Sequence, residues 1–171
     1  MIVRKLILGP LSTNCYLIIR DNNCLIVDPA YDFDTIKKEI KDLNLIGILV
    51  THYHFDHIGA LNSLKQNYNV PIYDYNTKEF NVENFNFEII HNPGHTSDSV
   101  TFYFKEENVM FVGDFIFKET IGRTDLETGN MIEMQKSINM IKKYDDNIVI
   151  YPGHGESTTL EYEKLNNVYF K

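Results

Sequence analysis

Four side chains able to ligate a metal ion, His52, His54, Asp56 and His57, fall within six residues. Three more candidates come later in the chain: His95 in Pro93-Gly94-His95-Thr96, Asp114 in Gly113-Asp114, and His154 in Pro152-Gly153-His154-Gly155. Five histidines and two aspartates make an all-nitrogen-and-oxygen donor set. Such a set suits zinc, iron or manganese, not a thiolate-bound structural zinc. Seven donors exceed what one tetrahedral ion needs and match two ions that share a carboxylate. The plain alternative is a chance His cluster on a solvated loop, with Asp56 capping a helix that begins near His57.

Each of these residues stands at the end of an expected strand. The apolar run Ile46-Gly47-Ile48-Leu49-Val50 empties into the 51–59 loop, and Val109 to Val112 is a second apolar run ending at Gly113-Asp114. Residues 148–151 form the last strand, leading to His154. Placing reactive groups where strands end is a habit of α/β proteins. Further strands are expected over 1–8, 14–20 and 24–27, and alternation of Phe85, Phe87 and Ile89 with Asn84, Asn86 and Glu88 predicts another. Val100, Phe102 and Phe104 repeat that alternation. Helices are expected where Phe33, Ile36, Ile40 and Leu43 recur, with Asp32 or Asp34 as cap, and where Leu61, Leu64 and Tyr68 share a face. Met131, Met134, Ile138, Ile141 and Tyr144 mark a third helix, and the polar tail from Ser157 reads as a fourth. Two packed sheets with helices outside would cover every apolar face.

The 171 residues suit one domain with a core of its own, 1–171, and 43% hydrophobic content describes an ordinary globular chain. Twenty-four acidic residues against 16 basic give a net charge of -8, with no basic cluster, which argues against nucleic acid as partner. No apolar stretch is long enough for a signal peptide or a membrane span, so no membrane partner is expected and the cytoplasm is the expected compartment. Cys15 and Cys24 sit out of register on consecutive strands and read as small buried hydrophobes without a disulfide.

The motif His52-Tyr53-His54-Phe55-Asp56-His57 resembles the hallmark of the metallo-β-lactamase superfamily, and the likeness runs along nearly the whole chain. Within that superfamily the chain is most similar to short glyoxalase II-like hydrolases. Supporting motifs are Gly9-Pro10, Asn14-Cys15-Tyr16-Leu17, Val27-Asp28-Pro29, Pro93-Gly94-His95-Thr96, Ile121-Gly122-Arg123-Thr124-Asp125-Leu126 and Pro152-Gly153-His154-Gly155. The resemblance implies a four-layer αββα sandwich, two mixed β-sheets flanked by helices. It implies two divalent ions, zinc first, with iron or manganese as alternatives. His52, His54 and His95 would hold one ion, Asp56, His57 and His154 the other, with Asp114 bridging. Two ions about 3.5–4 Å apart can hold water as hydroxide near neutral pH, and the family pattern has Asp56 orient it.

The substrate implied is a small-molecule thioester of a low-molecular-weight thiol, of the S-2-hydroxyacylglutathione kind. A thiolate, whose conjugate acid has a pKa of about 8.5, departs without the strong acid help an amine needs. The C-terminal helical domain that binds glutathione in larger glyoxalase II enzymes has no counterpart in 1–171. Between residues 71 and 85 the chain is also shorter than typical relatives. The main rival is a mononuclear-iron persulfide dioxygenase, which shares the fold and the Gly-Arg-Thr-Asp segment but generally lacks the glycine in the Pro-x-His motif. A non-catalytic metal-binding or redox module would have lost ligands, and all seven are present. Arg123, Lys118, Tyr53 and His91 are the candidates for substrate contact or for support of the ligands, each with a plainer reading as a solvated or packing residue.

Overall fold

The computed structural model describes residues 1–78 and 81–171, in two compact units, Met1–Asn86 and Phe87–Lys171. The first unit is built on a five-stranded sheet of β1 (Ile2–Leu8), β2 (Thr13–Arg20), β3 (Asn23–Val27), β4 (Asn44–Leu49) and β5 (Ile72–Tyr73), in that spatial order. β1, β2 and β3 run antiparallel, while β4 and β5 add in parallel, so the sheet is mixed. The hairpin between β2 and β3 turns at Asp21, in the left-handed region that Asp tolerates, and sets Ile19 opposite Cys24. Cys15 pairs with Leu6 instead, and both thiols are free and buried. Burial pushes the Cys24 thiol up to about 12 and the Cys15 thiol further still, so both stay protonated hydrophobes.

Two helices complete this unit, α1 (Phe33–Glu39) and α2 (Leu61–Asn67). Asp32 caps α1 by accepting from the Thr35 backbone N–H at 3.1 Å. Ile36 and Ile40 at α1, with Leu61 and Leu64 of α2, pack on Leu17, Ile26 and Ile48 of the sheet. The expected helix start near His57 is not found. The helix α2 begins at Leu61, its cap is Ala60, and no side chain caps it. Residues 51–60 instead make a series of turns, and Asp56 is kept for another partner.

The second unit carries a sheet in the order β12 (Thr158–Thr159), β11 (Val149–Pro152), β8 (Val109–Gly113), β7 (Val100–Phe104), β6 (Glu88–His91). β8 and β11 run parallel, the other pairs antiparallel. Between the two parallel strands the chain makes a short hairpin, β9 (Ile116–Phe117) with β10 (Thr120–Ile121), then α3 (Met131–Ile141). Asn130 caps α3 through its side-chain oxygen, which accepts from the backbone of Ile132 and Glu133. Met134, Ile138 and Ile141 seat α3 on Met110, Val112 and Ile150. The chain closes with α4 (Leu160–Asn166) and a 3-10 turn, Val168–Phe170.

Two expectations need correction here. The strand predicted over 84–89 starts only at Glu88. Asn84 is left-handed, and Val82 bridges Phe85 in a tight turn, so Phe85 and Phe87 are buried without belonging to a strand. The tail from Ser157 begins with the two-residue strand β12 before α4 starts. The shortened stretch between 71 and 85 includes residues 79 and 80, which lie outside the described residues. No helix among the described residues is long and apolar enough to cross a membrane.

Candidate metal centre

In the first unit the ligand loop is held by one buried carboxylate, Asp28. Asp28 follows β3, is left-handed at φ 49, and is 1% exposed. It accepts from the Thr51 N–H at 2.8 Å, from the Thr51 hydroxyl at 2.6 Å and from His57 Nδ1 at 2.9 Å. With a proton on Nδ1 facing Asp28, neutral His57 has its lone pair on Nε2. The Thr51 hydroxyl also lies 3.1 Å from His52 Nδ1, which likewise turns His52 Nε2 away from the support. Asp56 Oδ2 accepts from the buried Thr13 hydroxyl at 2.8 Å, joining the start of β2 to the ligand loop. Asp28, His52 and His57 form a fully buried group that could itself hold an ion. Both oxygens of Asp28 are already engaged, however, so its chemistry is that of a support.

The second unit has its own cluster. His95 Nδ1 lies 2.7 Å from the Arg123 carbonyl, which leaves Nε2 directed to Asp114 Oδ2 at 3.6 Å. His154 Nε2 stands 3.6 Å from the same carboxylate oxygen. Two glycines make this approach possible. A Cβ on Gly122 would lie 1.7 Å from the Asp114 carbonyl oxygen and 3.2 Å from His95 Nδ1. Gly94, at φ 155, would drive a Cβ into the Met134 backbone at 2.5 Å. Around these residues opens a cavity of about 420 Å³ lined by His95, Asp114, Phe117, Arg123, His154 and Gly155.

The donor spacings allow a fit test. His52 Nε2 and His54 Nδ1 are 3.2 Å apart, and His57 Nε2 and Asp56 Oδ2 are 3.5 Å apart. With the two 3.6 Å pairs at Asp114, three of the four are too long for good hydrogen bonds. Donors about 2.0–2.1 Å from one tetrahedral ion stand about 3.4 Å apart, so each pair has the spacing of two ligands on a common ion. Nitrogen lone pairs turned inward by carboxylate, hydroxyl or carbonyl partners are the arrangement metal-binding histidines need. The residues present fit divalent ions.

The remaining candidates fall in different places. Arg123 lines the cavity and forms a two-pronged ion pair with Asp125, both contacts 2.7 Å. That pair holds the Asp125 carboxyl down at about 2 and raises the Arg123 guanidinium. Lys118 turns to Glu156 at 2.9 Å, which raises its pKa, and does not line this cavity. Tyr53 is exposed and donates to Asp74 at 2.6 Å. His91 Nε2 lies 2.9 Å from the Ser97 carbonyl, a loop-bracing contact. Sequence reasoning left out Asp28, Thr51 and Thr13 as supports. The Val27-Asp28-Pro29 motif at a strand end was the one available signal for Asp28.

Comparison with known proteins extends these findings. The family model described as the metallo-beta-lactamase superfamily matches residues 8–85 and 74–154. The chain is 35% identical to the hydroxyacylglutathione hydrolase GloC of Haemophilus influenzae, over 90% of this chain and 91% of that protein. Among solved structures it is similar to BLEG-1, a B3 metallo-beta-lactamase, with a TM-score of 0.94 and 29% identity, covering 99% of this chain and 100% of that one. TTHA1623, in a di-iron-bound form, follows with a TM-score of 0.86 and 27% identity over 98% of this chain and 100% of that one.

Proposed function

The chain belongs to the metallo-beta-lactamase superfamily and has its fold, and from that premise we propose that it hydrolyses thioesters of a low-molecular-weight thiol. The observation that carries the reading is the lining of the cavity. Beside Phe117, Gly155 and the always-charged Arg123, its residues are His95, Asp114 and His154, all candidate ligands. None of these lining residues is left over as a proton donor. A leaving group that departs as an anion suits such a cavity, and a thiolate does so with a conjugate-acid pKa of about 8.5. The Haemophilus influenzae relative named as a hydroxyacylglutathione hydrolase supports the same choice.

By the motif positions of the family, His52, His54 and His95 would hold one ion and Asp56, His57 and His154 a second, with Asp114 shared between them. Bound divalent ions would supply a water acidified from 15.7 to about 7 and a polarised carbonyl. Asp56, held by the Thr13 hydroxyl, orients the attacking water, and the proton that the water gives up goes to solvent. Asp28 and Thr51 hold the His57 and His52 rings so that their Nε2 atoms stay available. The water oxygen bonds to the acyl carbon, the C–S bond breaks with its electron pair on sulfur, and the thiolate takes a proton from solvent. One water is consumed, and one carboxylic acid and one thiol leave. Zinc is the first choice of metal, with iron the alternative that di-iron TTHA1623 supports.

Metal analysis of the purified protein, followed by a panel of S-2-hydroxyacyl thioesters with thiol release as readout, tests this reading. Two ions per chain and turnover on the panel are expected. Metal-loaded protein inert on every thioester overturns it. A β-lactam and a persulfide are run beside them. Cleavage of the β-lactam alone, or oxygen uptake on the persulfide with one iron per chain, assigns the protein to a different reaction.

A further inference from the structure

The cavity beside Asp114 contains one cationic side chain that is not a candidate ligand, Arg123. Its backbone is fixed to the site, since the Arg123 carbonyl lies 2.7 Å from His95 Nδ1 and Gly122 leaves no Cβ to widen the approach. Its head is fixed too. Nε donates to Asp125 Oδ1 and Nη2 to Asp125 Oδ2, both at 2.7 Å. Guanidinium has five N–H donors, and this side-on pair uses two of them. The end-on edge, Nη1 with the second hydrogen of Nη2, retains the fork that matches a carboxylate.

An ion pair as exposed as this one, with side chains 61% and 69% accessible, adds little to folding. Its physical effect is to remove rotamer freedom from a long side chain at the cavity wall, which lowers the entropy cost of ligand capture. The other nearby cation does not share the task. Lys118 is tied to Glu156 and lines a separate cavity with Thr158, Thr159 and Tyr162. With one edge fixed by Asp125, the preorganised end-on edge offers this wall a fork of N–H donors that suits an anionic ligand.

We propose that Arg123, held by Asp125, is the specificity residue of this cavity and recognises a carboxylate on the substrate through its end-on edge. The substrate class is then an anionic thioester. This rests on the thioesterase reading above, and the carboxylate can belong to the thiol carrier or to the acyl group. Phosphate oxygens would also fit the fork, but a single guanidinium favours a singly charged group.

The test compares matched thioesters on the metal-loaded, full-length protein. One pair differs only on the thiol side, S-acetyl-3-mercaptopropionate against its amide. The other differs only on the acyl side, S-succinyl-N-acetylcysteamine against its succinamoyl counterpart. For each pair the ratio of kcat/KM, charged over neutral, is measured in wild type, Arg123→Ala, Arg123→Lys and Asp125→Ala. A ratio that falls about tenfold or more in Arg123→Ala, mainly through KM, with Lys restoring part of it and Asp125→Ala intermediate, supports the proposal. The pair that responds identifies where the carboxylate lies. Because each value is a ratio within one variant, partial misfolding cancels. Ratios unchanged on both pairs overturn the proposal. Calorimetric binding of S-ethyl-3-mercaptopropionate, a thioether that cannot be hydrolysed, separates the two readings. If wild type hydrolyses no thioester yet binds this carboxylate about tenfold more tightly than Arg123→Ala, recognition stands while the thioesterase reading falls. Equal or absent binding in that case overturns the recognition as well.

Discussion

Replacing Asp28 by Ala tests whether the ligand loop is held from behind by one buried carboxylate. In the native protein Asp28 takes three hydrogen bonds at 2.6–2.9 Å, all from groups that are buried. Truncation strands the Thr51 N–H and the His57 Nδ1–H, while the Thr51 hydroxyl oxygen keeps its contact with His52 Nδ1, 3.1 Å away. Each stranded buried donor costs about 1–3 kcal/mol, so the apo protein should lose about 2–6 kcal/mol. The untethered His57 ring should also cost about 10–100-fold in affinity for the metal, the usual effect of removing a ligand's supporting partner. Denaturant unfolding in the presence of chelator gives the first number, and competition against a chromophoric chelator gives the second. Thr51→Val is the control, since it removes a hydroxyl and leaves the Asp28–His57 contact intact. Loss of less than about 0.5 kcal/mol, with metal affinity within a factor of about two of wild type, would refute the support role.

Gly122→Ala should be far worse than an ordinary Gly-to-Ala change. Its Cβ would meet the Asp114 carbonyl at 1.7 Å, so backbone must move, at a cost of about 1–3 kcal/mol or more; a lowered Tm and reduced metal content check it. Glu163→Ala removes a fully buried carboxylate that accepts from the Glu119 N–H, the Thr158 hydroxyl and the Asn167 amide. Destabilisation by about 2–5 kcal/mol is expected, read by thermal unfolding. The Asp125 carboxyl should titrate near 2 by carbon NMR and move up towards about 3.9 in Arg123→Ala. Its native value is depressed, so the Arg123 pair contributes above about pH 4 and is lost as pH falls through about 2.

How much of this was legible depended on how local the signal was. His52, His54, Asp56 and His57 announce themselves because they lie within one loop after a strand whose aliphatic run is unmistakable. His95, Asp114 and His154 are legible for a similar reason, each following a β-rich segment. Asp28 is 23 and 29 residues from its partners Thr51 and His57, so its role emerges only when β3 and β4 lie side by side. Phe85 and Phe87 misled because alternation is also what a buried turn can show, and the left-handed Asn84 that breaks the strand leaves no trace in that period. β9 and β10 have two residues each, too few for any periodicity, so the hairpin before Arg123 was expected as loop. Asp56 looked like a helix cap because Asp is a favoured N-cap residue and Leu61, Leu64 and Tyr68 follow it at helical spacing. Its carboxylate is taken by Thr13, 43 residues away, which no local rule predicts.

The central claim is metal-dependent thioester hydrolysis by a pair of ions, and titration of the chelated protein with metal tests it most directly. Thiol release from an S-2-hydroxyacyl thioester is followed as zinc or iron is added back to the apo protein. Activity that rises to a plateau at two equivalents per chain, with one acid formed per thiol and no oxygen consumed, is the predicted result. Thiol release absent at every loading, or full activity at one equivalent with oxygen consumed, would contradict it.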